Sequence, residues 1–176
     1  MPDNDRVRAC APEVIGNSCT RTGEFDVDTI NRYLEGDPPR ALSGHLGMRA
    51  EAVADDHLVF SMPVDNRTHQ PLGLLHGGAS VALAETVGSF AANLALPPDQ
   101  MALGQEINAN HLRAVRHGRV YATARPVHIG GRSHVWSIEI RDAGGQMVCI
   151  SRLTMAVLPR PPGVAAFHAE PGVTPA

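Results

Sequence analysis

The segment that most limits what this chain can fold into is residues 74–96. It is rich in glycine, alanine and serine with leucines between them, and Pro97-Pro98 closes it. Its length favours a helix over a strand. A helix with so little side-chain bulk can lie close against a sheet, so the remainder of the chain is expected to curl a sheet around it.

The flanking sequence supplies that sheet. Residues 46–53, the turn signal Asp55-Asp56 and residues 58–64 read as a β-hairpin. Four further strand-like runs follow the helix, at residues 104–111, 119–128, 134–141 and 146–158. His117-Gly118, Gly130-Gly131 and Gly144-Gly145 are the turns between them. Several of these runs carry β-branched residues in partial alternation, as an antiparallel sheet with one covered face requires. Ahead of the hairpin, Val27, Ile30, Tyr33 and Leu34 recur at helical spacing across residues 26–34, and Gly36 with Pro38-Pro39 stops that helix. The predicted class is α+β, an antiparallel sheet wrapped around a long central helix. One domain is expected over residues 25–158, with a flexible arm at 1–24 and a proline-rich, disordered tail at 159–176.

Composition removes several function classes. A net charge of −3 and 4% aromatic residues leave neither the basic surface nor the stacking platforms of a nucleic-acid binder. All 15 basic residues are arginine. Lysine Schiff-base chemistry and a P-loop lysine are therefore excluded, and a ligand phosphate must be held by arginine, backbone N–H groups or helix ends. Cys10, Cys19 and Cys149 are too scattered for a disulfide framework or a CxxC site, and no compact ligand spacing supports a metal. The first residues lack an apolar signal core, and His76, Glu85 and Asn93 interrupt residues 74–96 as a membrane span. A cytoplasmic protein with no membrane partner is expected.

The candidate chemistry lies around the start of the long helix. His76-Gly77-Gly78 stands where loop becomes helix, and the free N–H groups of a first helical turn favour developing negative charge. Glycine there lets a carbonyl approach the backbone. Glu85 stands in the interior of this apolar helix, where a carboxylate is costly unless paired or used. Ser89 shares its face, four residues on, and could orient the carboxylate or a water. Gln70 and His76 add neutral hydrogen-bonding groups. Taken singly, Gly77-Gly78 is compatible with a plain tight turn, Glu85 with a structural role, and His111, His128 and His134 with ordinary strand positions. Geometry narrows the combination. Gly77 and Glu85 are roughly 12 Å apart along a helix axis, too far for both to reach one carbonyl carbon. Two antiparallel helices in a symmetric dimer can bring Gly77 of one copy to Glu85 of the other, which predicts two shared active sites per dimer.

These residues together resemble the hotdog thioesterase superfamily, in its phenylacetate-degradation and aryl-CoA branch. They are most similar to the 1,4-dihydroxy-2-naphthoyl-CoA hydrolases of menaquinone synthesis and the related proofreading thioesterases of enterobactin synthesis. The matching pieces are MPVDNRTHQPLGLLHGGASVALAE, GQEINANHLRA, HGRV, PVHIGGRSHVWSIEI and SRLTMAVL, in the same order over roughly residues 42–158. The resemblance implies a hotdog fold and a tetramer of two dimers without metal or other cofactor. It also implies hydrolysis of an aryl- or acyl-CoA thioester. It assigns Glu85 as nucleophile or general base, the Gly77 N–H as oxyanion donor, Gln70 and His76 as substrate-positioning groups, and Ser89 beside Glu85. It runs the CoA arm along Gly104, then His111, Leu112, Arg113 and Ala114, and then His128, Ile129, Gly130, Gly131, Arg132 and Ser133. Arg113 and Arg132 are the phosphate partners in this reading. The rivals are a non-catalytic acyl-CoA-binding protein of the same fold, a thioesterase acting on carrier-protein thioesters, and a hotdog hydratase or dehydratase. The last uses a His with an Asp or Glu in motifs not found here.

Overall fold

The computed structural model describes residues 26–35 and 41–164. The expected arm at residues 1–24 lies outside them, as do residues 165–176 of the expected tail. Two short helices, α1 (Val27–Glu35) and α2 (Leu42–His45), lead into strands β1 (Arg49–Val53) and β2 (Leu58–Val64). The long helix α3 (Gly77–Leu94) follows, then β3 (Gln100–His111), β4 (Gly118–Ile129), β5 (Ser133–Asp142) and β6 (Met147–Pro159). The strands form one antiparallel sheet in the order β1-β2-β4-β5-β6-β3. The α+β class, the central helix and the six strands are as the sequence implies.

Two local departures have physical causes. Helix α2 was not anticipated; it is one turn, and Ala41 before it makes no side-chain cap. Strand β3 begins four residues before the expected start at Gly104. Gln100 to Leu103 lack β-branched residues, so local propensity hides them. They are held as strand by pairing with β6 and by Asn93, whose side-chain amide donates to the Ala102 carbonyl and accepts from the Ala102 N–H, both at 3.0 Å. At the start of the expected tail, Pro159 pairs with Gln100, and Arg160 bonds the carbonyls of Pro98, Asp99 and Gln100.

The core lies between α3 and the sheet. Leu83, Ala84, Val87 and Ala91 of the helix are fully buried, as are Phe60, Ile138, Ile140 and Leu153 of the strands. Contact is close because Gly88 carries no side chain; a Cβ there would stand 2.6 Å from Leu153 Cδ2. On β5, residues 134, 136, 138 and 140 all point to this buried layer. His134 is among them. Burial, with His128 nearby, pushes its pKa from 6.5 down to about 4.

That shift makes stability depend on pH. The unfolded chain takes a proton near pH 6.5 that the folded protein does not accept until about pH 4. Stability contributed by neutral, buried His134 is therefore complete above pH 6.5 and is lost as pH falls towards 4, by an amount approaching about 3 kcal/mol. Urea unfolding between pH 7 and 4 is expected to show a shallower pH slope for His134→Phe than for the wild-type protein. An unchanged slope would show that His134 is not the titrating group.

Candidate active site

Helix α3 begins at the loop that carries Gln70 and His76. The backbone of that loop is tied at three points: His76 N–H to Thr68 O at 2.8 Å, Leu75 N–H to Val115 O at 2.8 Å, and Gln70 N–H to Leu74 O at 2.8 Å. His76 is the N-cap, and its Nδ1 accepts from the Gly78 N–H at 2.8 Å. A neutral His76 therefore carries its proton on Nε2, leaving that N–H as a donor. The N–H groups of Ala79 and Ser80 turn back to the His76 carbonyl. Of the first four helical N–H groups, only that of Gly77 has no partner among the described residues. Gln70 Oε1 accepts from the Leu72 N–H at 2.7 Å, so its amide NH2 is the end left for a ligand.

Gly77 also lies against His111 at the end of β3, where a Cβ would come within 2.8 Å of the imidazole Nε2. Glu85, two turns along α3, lies against Gly104 instead, where a Cβ would come within 2.9 Å of its Oε1. A bulge follows Gly104 in β3. Gly77 and Glu85 thus mark different points on one strand, seven residues apart, and a single protomer does not bring them together.

Burial corrects one expectation. The mid-helix position of Glu85 suggested a carboxylate enclosed by apolar neighbours, but in the protomer it is exposed. Apart from Gly104 of β3, which has no side chain to cover it, the described residues leave it open. Ser89 is on the same face, but its Oγ rests 3.8 Å from Met155 Sδ and makes no bond to Glu85.

The expected CoA-binding residues fall into two groups at opposite ends of the sheet. Gly104 pairs with Met155 of β6, and Met155 pairs with His134 of β5; the hairpin His128, Ile129, Gly130, Gly131, Arg132 and Ser133 is at that end. The Arg132 guanidinium has no partner among the described residues. His111 pairs with Cys149 and Cys149 with Ile140 at the other end, where Leu112, Arg113 and Ala114 leave the sheet. There the β3–β4 connection and the β5–β6 turn border an open groove of about 560 Å³, lined by Leu74, Arg113, Arg116, His117, Arg119 and Asp142. Arg113 bonds Gln146, and Arg119 is held by Ser61, while Arg116 and His117 make no side-chain bond among the described residues. The sequence reading missed Arg116 and His117; three arginines within seven residues were the available signal. Among the described residues, no group of His, Cys, Asp or Glu is arranged to hold a metal ion, and no helix is long and apolar enough to cross a membrane.

Comparison with known proteins bears on this geometry. Residues 72–149, which include the helix start and Glu85, match the family model described as the thioesterase superfamily. The 1,4-dihydroxy-2-naphthoyl-CoA hydrolase of Escherichia coli is 49% identical over 77% of this chain and 96% of its own length. A proofreading thioesterase of Cronobacter turicensis is 51% identical over 65% of this chain and 83% of its own. Among solved structures, a thioesterase of Haemophilus influenzae superposes with a TM-score of 0.73 at 44% identity, covering 77% of this chain and 92% of that one. The chain belongs to the thioesterase superfamily, with the hotdog fold, and is a thioester hydrolase.

Proposed function

We propose that two copies of this chain pair along β3 and hydrolyse an aryl- or acyl-CoA thioester at two sites, each combining Glu85 of one protomer with Gly77 of the other. The observation that carries this reading is that both groups of α3 pack against one edge strand, Gly77 at His111 and Glu85 at Gly104. Strand β3 is 12 residues long, ends the sheet and is largely exposed. Such an edge is a template for pairing with a second chain. An antiparallel β3–β3 contact about a two-fold axis near the middle of the strand brings the Gly104 end of each copy beside the His111 end of the other. Glu85, resting on Gly104, then faces the Gly77 that rests on His111 across the contact. The same operation carries the partner's 128–133 hairpin to the His111–Ala114 end, uniting the two halves of the CoA path. Two such dimers form a tetramer in this reading, in the cytoplasm and without a metal.

The chemistry follows from the groups left free. The Gly77 N–H and the His76 Nε2–H polarise the thioester carbonyl, and the Gln70 amide helps to place it. Glu85 takes a proton from a water that attacks the carbonyl carbon and passes it to the departing sulfur. Alternatively, it attacks the carbon itself to form an anhydride that a water then hydrolyses, that water's protons going to the thiolate and the carboxylates. The C–S bond breaks, CoA leaves as its thiol, and the acyl group leaves as the free acid. An N–H aimed at the developing oxyanion acts on rate more than on binding. The Escherichia coli relative makes 1,4-dihydroxy-2-naphthoyl the first acyl group to try.

Thiol release from a panel of aryl- and fatty-acyl-CoA esters tests the chemistry. Glu85→Gln is expected to lower turnover on the order of 10²–10⁴-fold. Turnover within a few-fold of the wild-type rate would remove Glu85 from the mechanism. The groove arginines receive a separate test. Arg116→Ala is expected to raise KM for a CoA ester about 5- to 10-fold, with no change for the N-acetylcysteamine ester of the same acid, which lacks the nucleotide. Equal effects on the two esters would show that the groove does not hold phosphate.

A further inference from the structure

The loop that leads into α3 is folded back on itself as a narrow ladder. His69 and Leu75 face each other across an antiparallel bridge, and the His76 N–H bonds the Thr68 carbonyl at 2.8 Å. One side of the ladder carries Gln70, and the other ends at Gly77. Both sides also reach the β3–β4 connection. The Leu75 N–H bonds the Val115 carbonyl at 2.8 Å, and His69 Nε2 lies 2.9 Å from the Arg116 carbonyl. A carbonyl only accepts, so Nε2 carries the proton and donates.

The His69 bond joins this loop to the arginine groove from outside it. Arg116 lines the groove, whereas His69, partly buried, is not among the lining residues. The groove cations differ in what steers them. Arg113 is held by Gln146 and Arg119 by Ser61, but the Arg116 guanidinium makes no side-chain bond among the described residues. Where it points is therefore set by the backbone that carries it, and His69 fixes the carbonyl of that same residue. Without the bond, the peptides between Val115 and Gly118 gain freedom that a ligand must then remove, at a cost in affinity.

We propose that His69 is a positioning residue for the nucleotide end of the substrate: by holding the Arg116 carbonyl, it presents the Arg116 guanidinium to a phosphate in the groove. This rests on the reading that the groove holds CoA phosphate and adds the residue that prepares it. The hydrolytic groups do not depend on the bond. The ladder keeps its own ties, Gln70 N–H to Leu74 O and His76 N–H to Thr68 O, and Leu75 still joins it to Val115. Loss of the His69 bond therefore weakens capture of the nucleotide and leaves the chemical step alone. The bond needs only a donor at the position of Nε2. A glutamine amide supplies one, and a leucine does not.

The test measures kcat and KM for the best CoA ester of the panel and for the N-acetylcysteamine ester of the same acid. The proteins are wild type, His69→Leu, His69→Gln, Arg116→Ala and the His69→Leu/Arg116→Ala double variant. His69→Leu is expected to raise KM for the CoA ester about 3- to 5-fold, with kcat and the short ester unaffected. His69→Gln is expected to stay within about twofold of wild type. The double variant is expected to be no worse than Arg116→Ala alone, because His69 acts through Arg116. If His69→Leu does not fold, His69→Ala takes its place. Equal losses on the two esters would show a structural role in the catalytic loop, and additive losses would show that His69 acts apart from Arg116. A normal KM in His69→Leu beside a raised one in Arg116→Ala would show that the groove works without it. Each of these overturns the proposal, and a normal KM in Arg116→Ala as well would overturn the groove reading with it.

Discussion

The backbone of α3 comes so near to β3 and β6 that side chains are missing at its points of contact. Gly88 gives way to Leu153, Gly77 to the His111 ring and Gly104 to the Glu85 carboxylate. Interiors are close-packed, and a Cβ at any of these points would have to displace its neighbour. The approach also fixes what the helix can do. Because Gly77 and Glu85 are two turns apart, each is pinned to its own place on β3. His76 uses its carbonyl and its ring to satisfy three of the first four N–H groups and leaves that of Gly77 open. The proposed chemistry therefore depends on packing that holds a donor and a carboxylate apart within one chain.

That separation gives β3 its importance. A long, exposed edge strand is a hazard in a monomer, and here both candidate groups of the helix rest against it. The exposed Glu85 and the divided CoA path point the same way. Each is incomplete in the protomer, and the proposed two-fold contact along β3 would complete both.

What was legible in the sequence was local. His76-Gly77-Gly78 marked the helix start, the paired glycines marked the hairpin turns, and the helix rise alone set Glu85 and Gly77 too far apart to meet within one copy. What was hidden depends on pairing at long range. Gln100 to Leu103 read poorly as strand because their partners, β6 and the Asn93 amide, act through tertiary contact. The place of β3 beside β6 rather than β4 is not written in its own residues, so neither the exposure of Glu85 nor the gathering of Arg113, Arg116 and Arg119 at one groove could be read ahead.

The central claim, that each site is divided between two protomers, is tested most directly by complementation. Gly77→Val drives a side chain into His111, and Glu85→Gln removes the carboxylate, so each variant alone is expected to be inactive. A mixed dimer, co-expressed with two tags and purified through both, contains one site with an intact Gly77 from the Glu85→Gln copy and an intact Glu85 from the Gly77→Val copy. The account predicts that this dimer regains about half of the wild-type thiol release, one site of two. A mixed dimer as inactive as its parents would show that each site lies within a single chain and would contradict the account.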